Sequence, residues 1–400
     1  MPDYTIRGVS LKDRPKDRLI TAAKNMVPMI LSNLDRIESE CQLPAGLAAA
    51  LAKEDLFGLY LPESLGGPES DPITAFHVVE ELSKADGSVG WCSFNGTAIT
   101  AASAWLPVAV AKEMFGDPPD IRASGSARTE GIARAADGGY LVSGRWNYLS
   151  GVDHAKWLFL NCAVHDEKGP ALLGDGTPVN RVAVMPVDAA KIHVTWSTLG
   201  MRGTASNDAE FFEEFVPLDH TYSRGEPAYH NGPLYNPQTV TVMSWTLAAA
   251  NALGMAQGAL NVFIQMATAS GSTNSPTLMR DRSPVQTTVG ECEATIDAAR
   301  THVLEATGAL WAAQVARSSD LTSKVVRARL AITHAIRQAV SAVDMLFYAA
   351  GTNAIHQSTG LERFFRDLHV SGQHISGLHS NYEYGGQMLL GVTPKASVYF

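Results

Sequence analysis

The hydrophobic period changes twice along this chain, from helical to strand-like and back, and that limits the fold more than any other feature. Over the first 120 residues apolar side chains recur at three- and four-residue spacing in LITAAKNMVPMILSNLDRI, AGLAAALAKEDLFGLYLP and ITAFHVVEELSKADGSVGWC, so each run can bury one helical face. Pro72 heads the third run, where a missing amide proton costs nothing. Between about 121 and 220 the period becomes two. GGYLVSGRWNYLS, HAKWLFLNCAV, RVAVMPV, KIHVTW and AEFFEEFVP are short, rich in β-branched and aromatic residues, and parted by Gly, Pro and Asp, which predicts a β domain. Helical spacing returns over 239–269, 285–317, 322–350 and a last segment near 361–391. Blocks of helices, strands and helices, without βαβ alternation, predict an α+β protein: helical over 1–120, β over 121–230 and a helical bundle over 231–400.

Composition removes several classes of function. A net charge of −9, from 31 basic and 40 acidic side chains, leaves no electrostatic footprint for nucleic acid or an anionic membrane. From Pro227 to Met279 there is no Asp, Glu, Lys or Arg, but Asn251, Gln257, Asn261 and Gln265 interrupt the run. It therefore reads as a helix buried among helices and not as one in lipid. Cys41, Cys92, Cys162 and Cys292 are far apart and fit free thiols in a reducing cytoplasm. The charged stretch MPDYTIRGVSLKDRPKDR holds no apolar segment of a secretory signal. No G-x-G-x-x-G follows a strand, and no P-loop, G-x-S-x-G or H-E-x-x-H occurs, so the usual dinucleotide, phosphate, hydrolase and zinc-protease signatures are missing. His369, His374 and His379 are spaced by five, which on a helix turns each about 140° from the last, so they cannot converge on one metal.

The stretch RWNYLSGVDHAKW places a hydroxyl, a glycine and an imidazole between two aromatic strands. It is one of five stretches that together resemble the acyl-CoA dehydrogenase superfamily. These are LPESLGG (61–67), DGSVGWC (86–92), GGYLVSGRWNYLSGVDHAKW (138–157), LGMRGTASNDAEFFEEFVP (199–217) and RFFRDLHVSGQH (363–374), in collinear order. The resemblance implies a helical N-terminal domain, a central β-barrel and a C-terminal four-helix bundle, assembled as a homotetramer around a flavin.

Two chemistries compete within that superfamily. A dehydrogenase needs a carboxylate to take the α-proton of an acyl thioester, whereas a monooxygenase of the same fold uses reduced flavin and O2. The two dehydrogenase base positions fall at Ile375 and near Ser244, and neither side chain can remove a proton from carbon. Glu383 is left as a displaced base for that alternative. His374, and a Ser-Gly pair followed closely by His154, match the monooxygenase branch that hydroxylates phenols, indoles and related heteroaromatics. That branch implies reduced FMN or FAD from a separate NAD(P)H-flavin reductase, O2 as co-substrate, and oxygen transfer through a C4a-hydroperoxyflavin.

Site residues follow from the same resemblance. Ser150 matches the position that meets flavin N5, and Gly151 lets backbone approach the ring. Trp146 and Tyr148 alternate with Arg145 and Asn147, so one pair can wall the flavin, and packing into the core is the equal alternative for them. His374 is the general acid/base candidate, as an imidazole titrating near neutrality, with His154 and Asp153 behind it. Arg280, Arg282 and Gln286 lie where a neighbouring subunit often contacts flavin phosphate or ribose, although the segment RDRSPVQ is shortened. Trp91, Asn95, Ile99, Arg202 and Ile375 are expected around the substrate, with Cys92 and Phe94 in the same wall. Ile99 stands where some phenol hydroxylases carry a histidine, which points to an indole-like or fused-ring substrate. The competing structural readings are a strand-end serine at 150, a carbonyl-bonded histidine at 374, and an arginine at 202 that only ties down its loop.

Overall fold

The structure, a computed structural model, describes residues 15–116, 119–120, 122–167, 169–269, 271–272 and 275–392. Its first part holds α1 (Pro15–Leu31), α2 (Leu34–Glu40), α3 (Ala45–Lys53), α4 (Pro72–Ala85), α5 (Gly87–Thr100) and α6 (Val108–Phe115). The run expected as one helix through 92 is two. Asp86 adopts extended backbone, φ −158° and ψ 130°, closing α4 and capping α5 by accepting the Val89 N–H at 2.9 Å. A capping carboxylate satisfies an amide left over at a helix start, so the chain can change direction there without losing a hydrogen bond. The new direction places Trp91, Asn95 and Ile99, at four-residue spacing, along one edge of α5.

Strands β1 (Ala123–Ala136), β2 (Gly139–Leu149), β3 (Trp157–Asp166), β4 (Gly169–Pro170), β5 (Asn180–Pro186), β6 (Lys191–His193), β7 (Asn207–Pro217) and β8 (Thr221–Tyr222) form one sheet. Its order is β6-β7-β2-β1-β3-β5-β8, with β4 paired to β3. Among the described residues only β1 and β3 run parallel; the other pairings are antiparallel. The path ends at β6 and β8, so the expected barrel is an open one. Alternate side chains, among them Val142, Trp146, Leu158, Leu160, Ala209 and Phe211, fill a core of its own.

The last part holds α7 (Val240–Ala269), a short β9 (Gly271–Ser272) and β10 (Ser275–Leu278) pair, then α8 (Ser283–Val315), α9 (Leu321–Ala350), α10 (Leu361–Ser371) and α11 (Ser380–Leu389). By length and composition α7 could cross a membrane, yet 78% of its most apolar window is buried inside the protein. It crosses α4 closely at Gly254, where a Cβ would come within 2.4 Å of Glu80 O. Its polar Asn251 donates from Nδ2 to Ser83 Oγ and Gly87 O, both at 2.9 Å. The segment near 361–391 is not one helix. Between α10 and α11 the chain turns through His374, whose backbone is extended at φ −60° and ψ 149°, and that turn sets His374 against Trp91 and Phe94 of α5.

Candidate active site

Where the edge of α5, the ends of β1 and β2, the loop before β7, the start of α7 and the α10–α11 turn meet, they enclose a cavity of about 800 Å³. Ser150, at the end of β2, is 6% exposed and lines it. Its hydroxyl is held from two sides. Trp91 Nε1 donates to Ser150 Oγ at 3.0 Å, and Ser206 Oγ lies 2.8 Å away. Ser206 in turn lies 2.7 Å from Thr204 Oγ1, which donates to Met201 O at 2.9 Å. Gly151 fixes the turn: its φ is +78°, its N–H donates to Thr204 O at 2.7 Å, and a Cβ there would stand 2.8 Å from the His154 ring. Left-handed backbone against a packed ring needs glycine.

Alternation along β2 is broken just before this turn. The pairing with β7 shifts register between Trp146 and Leu149, and Tyr148 takes a positive φ of 60°. A bulge of this kind throws one side chain to the other face. Tyr148 therefore enters the cavity and meets Trp196 edge-to-face at 6.1 Å. Trp146, expected beside it, points instead into the β core, fully buried, and donates to Asn161 O at 2.8 Å.

His374 also lines the cavity, edge-to-face with Trp91 at 5.2 Å and with Phe94 at 5.9 Å. Its Nδ1 accepts the Ser376 N–H at 3.4 Å and lies 2.7 Å from Ser376 Oγ, which leaves the neutral ring's proton on Nε2. Burial lowers its pKa to about 4, so the imidazole does not titrate near neutrality as expected but is uncharged there. His154 is likewise pushed down to about 4 by burial, next by the Arg122 charge. It does not line the cavity. It stacks on Phe57 with ring centroids 4.9 Å apart, behind Gly151, and so supports the turn. Asp153 is exposed and faces Asn207 Nδ2 at 3.4 Å.

The expected substrate wall is partly assembled. Trp91, Phe94, Asn95, Ile99 and Ile375 all line the cavity. Asn95 Oδ1 is buried with no hydrogen-bond partner among the described residues. Cys92 is buried and does not line the cavity, and burial raises its thiol pKa. Arg202 is not at the cavity. It pairs with Glu38 Oε1 at 3.2 Å and reaches Cys41 Sγ at 3.1 Å, tying its loop to α2. Arg280, Arg282 and Gln286, at the head of α8, are also away from this chain's cavity; Gln286 Nε2 donates to Arg280 O at 3.0 Å. Sequence reasoning missed Arg128, Trp196 and Arg224, which line the cavity from β1, the loop before β7 and the segment after β8. No spacing in the sequence joins those three.

Ile375 and Ser244, the two positions where a dehydrogenase base was sought, do face the cavity. None of the described residues lining it is Asp or Glu. Glu383 is exposed on α11, where Gln387 Nε2 donates to it at 3.2 Å. It is outside the cavity and cannot serve as the displaced base.

The family model for the acyl-CoA dehydrogenase N-terminal domain matches residues 20–106, and that for the C-terminal domain matches 246–377, together more than half of the 400 residues. The chain belongs to the acyl-CoA dehydrogenase superfamily. It is 27% identical to indole-3-acetate monooxygenase of Acinetobacter baumannii, over 89% of this chain and 90% of that protein. It is 28% identical to HsaA, the oxygenase subunit of a flavin-dependent monooxygenase of Mycobacterium tuberculosis, over 94% and 98%. Among solved structures, XiaF from Streptomyces sp., in complex with FADH2 and glycerol, superposes with a TM-score of 0.86 at 26% identity, covering 96% of this chain and 97% of that one. Within the superfamily the chain stands closest to the flavin-dependent monooxygenase branch.

Proposed function

We propose that this protein is the oxygenase component of a two-component flavin monooxygenase. It takes reduced FMN or FAD from a separate NAD(P)H-flavin reductase and hydroxylates a small phenol- or indole-like substrate with O2. The observation that carries this reading is the cavity's composition: a held hydroxyl at Ser150, a neutral imidazole at His374, and apolar or hydroxyl groups at Ile375 and Ser244, where a dehydrogenase would need a carboxylate.

The residues fit a flavin. The cavity is of the size that holds such a ring system with a small substrate. Tyr148, Trp91 and Trp196 supply aromatic surface, Ser150 faces inward at a strand end, and Arg128 and Arg224 bring positive charge for a phosphate. Reduced flavin supplies two electrons to O2, so that one oxygen atom enters the substrate and the other leaves as water. The protein's own groups then divide three tasks. Ser150 orients the ring edge. Trp91, Phe94, Ile99 and Ile375 exclude water, which strengthens each polar contact inside. His374 presents Nε2–H as a donor to an oxygen in the cavity, a hydrogen-bonding role in place of the general acid/base one, while Asn95 Oδ1 is free to accept a substrate hydroxyl or N–H.

The same reading carries a cytoplasmic homotetramer. Its four cysteines are free thiols. Arg280, Arg282 and Gln286 would reach a flavin only across a subunit boundary, since they stand away from their own chain's cavity.

The test is anaerobic mixing with photoreduced FMN or FAD, followed by 18O2 and indole or a phenol. One labelled oxygen should appear in the product, and His374→Ala should cut its yield roughly a hundredfold, the usual cost of one preorganised donor. Desaturation of an acyl thioester with bleaching of oxidised flavin, and no label incorporated, would overturn the reading.

A further inference from the structure

Trp91 Nε1 can only donate a hydrogen bond, and the Met201 carbonyl can only accept one. Three hydroxyls bridge them, Ser150, Ser206 and Thr204, with successive contacts of 3.0, 2.8, 2.7 and 2.9 Å. Each hydroxyl has one proton. Thr204 must use its proton on Met201 O, so Ser206 must donate to Thr204, and Ser150 to Ser206. The two fixed ends allow one proton order only. Ser150, Ser206 and Thr204 are 6%, 4% and 1% exposed, so bulk water cannot relax it. The acceptor end is itself pinned: Trp196 Nε1 also donates to Met201 O at 2.9 Å, and the Met201 N–H is held by Asp367 Oδ1.

Ser150 Oγ thus reaches the cavity with its proton already committed and a lone pair free. A partner there must bring a hydrogen. The reduced flavin ring carries N–H at N5, whereas the oxidised ring carries a lone pair at the same atom. We propose that the chain Trp91, Ser150, Ser206, Thr204 makes Ser150 Oγ a pure acceptor and so selects reduced over oxidised flavin, with Ser206 and Thr204 as positioning residues. This rests on the flavin reading above and adds to it a redox preference set by the order of hydrogen bonds among hydroxyls that line the same cavity.

The experiment compares dissociation constants of reduced and oxidised FMN or FAD, by anaerobic titration, for the wild type, Thr204→Val, Ser206→Ala and Thr204→Ser. Thr204→Val leaves Ser206 with Ser150 as its only hydroxyl partner, so either can donate and the Ser150 proton can turn to the cavity. Ser206→Ala frees that proton directly. Both variants should bind oxidised flavin more tightly, and the preference for reduced flavin should fall about three- to tenfold, the worth of one hydrogen bond. The midpoint potential of bound flavin should drop in step, a tenfold change being about 30 mV for a two-electron couple. Thr204→Ser keeps the hydroxyl and should keep the wild-type ratio. An unchanged ratio in both Thr204→Val and Ser206→Ala, including equal weakening of the two redox forms, overturns the proposal and leaves the flavin reading standing. A wild type that binds neither form overturns both.

Discussion

His374 reaches the cavity from the extended turn after α10 with Trp91 and Phe94 packed across its ring, and its pKa is lowered to about 4 by burial. An imidazole with this pKa stays neutral from about pH 5.5 to 8, so over that range hydroxylation should show no inflection owed to His374. The rate should fall only in more acid solution, as the ring gains charge. The check is a pH–rate profile of the wild type against His374→Gln; an inflection near 6.5 that the substitution removes would show the ring titrating freely. At this scale the sequence named Ser150, His374, Trp91 and Ile375 at the cavity, because each sits in a local motif. It left Trp146 and Tyr148 open between flavin wall and core, because the bulge at Tyr148, which parts them, breaks a period that the sequence obeys up to that point. Arg202 and His154 looked functional because their motifs border the site, while their partners, Glu38 and Phe57, come from far along the chain.

Helix α7 can be uncharged because most of it, through Leu260, is covered by its neighbours, and its glycine shows how tightly. A Cβ at Gly254 would meet Glu80 O at 2.4 Å and Ser83 Cβ at 2.6 Å. Alanine is worth up to about 1 kcal/mol over glycine in a helix interior, but backbone overlap cannot be relieved by a rotamer, so overpacking of about 1–3 kcal/mol should win. Gly254→Ala is therefore expected to lower stability in urea or thermal unfolding. Gly290→Ala on α8, where a Cβ would meet nothing within 4 Å, should leave stability unchanged or raise it by up to about 1 kcal/mol. If Gly254→Ala is no worse than Gly290→Ala, the α4–α7 crossing is looser than its geometry implies. Helical spacing located α7, α8 and α9 to within a few residues. The break between α10 and α11 escaped it, since apolar residues continue at helical intervals through a turn whose extended backbone depends on the His374–Ser376 bond.

The parts of the molecule are joined by a charged cluster. Arg202 and Arg366 both bond Glu38 Oε1, at 3.2 and 3.1 Å; Arg366 Nη1 donates to Leu199 O at 2.7 Å; and Arg363 lies 4.0 Å from Asp86. At its centre the Asp367 carboxyl is pushed up to about 8, first by burial and then by the charge of Asp86. A carboxyl with a raised folded pKa keeps its proton in the folded protein while the unfolded chain, with a pKa of about 4, has lost it. The folded state then binds more protons across that window. Its contribution to stability is complete below about pH 4 and is lost as pH rises through about 8. Asp367→Asn keeps an oxygen for the Met201 amide and cannot ionise. Unfolding midpoints should show it gaining on the wild type between pH 5 and 8.5; a constant difference would mean that Asp367 is already ionised in the folded protein.

The sequence by itself determined the order of helices, strands and helices, the resemblance to a flavin-binding superfamily, and the missing dehydrogenase base. Those are properties of local period, local motif and single positions, and they need no partner in space. Only the tertiary structure decided that His374 is neutral, that Trp146 is core and Tyr148 is wall, that Glu383 is outside the cavity, and that Ser150 is donor-spent. Each of these depends on burial or on a hydrogen-bond partner distant in sequence: Ser150 lies 59 residues from Trp91 and 56 from Ser206. The direction of a proton chain is set by its two ends, and in this protein the ends meet only after folding.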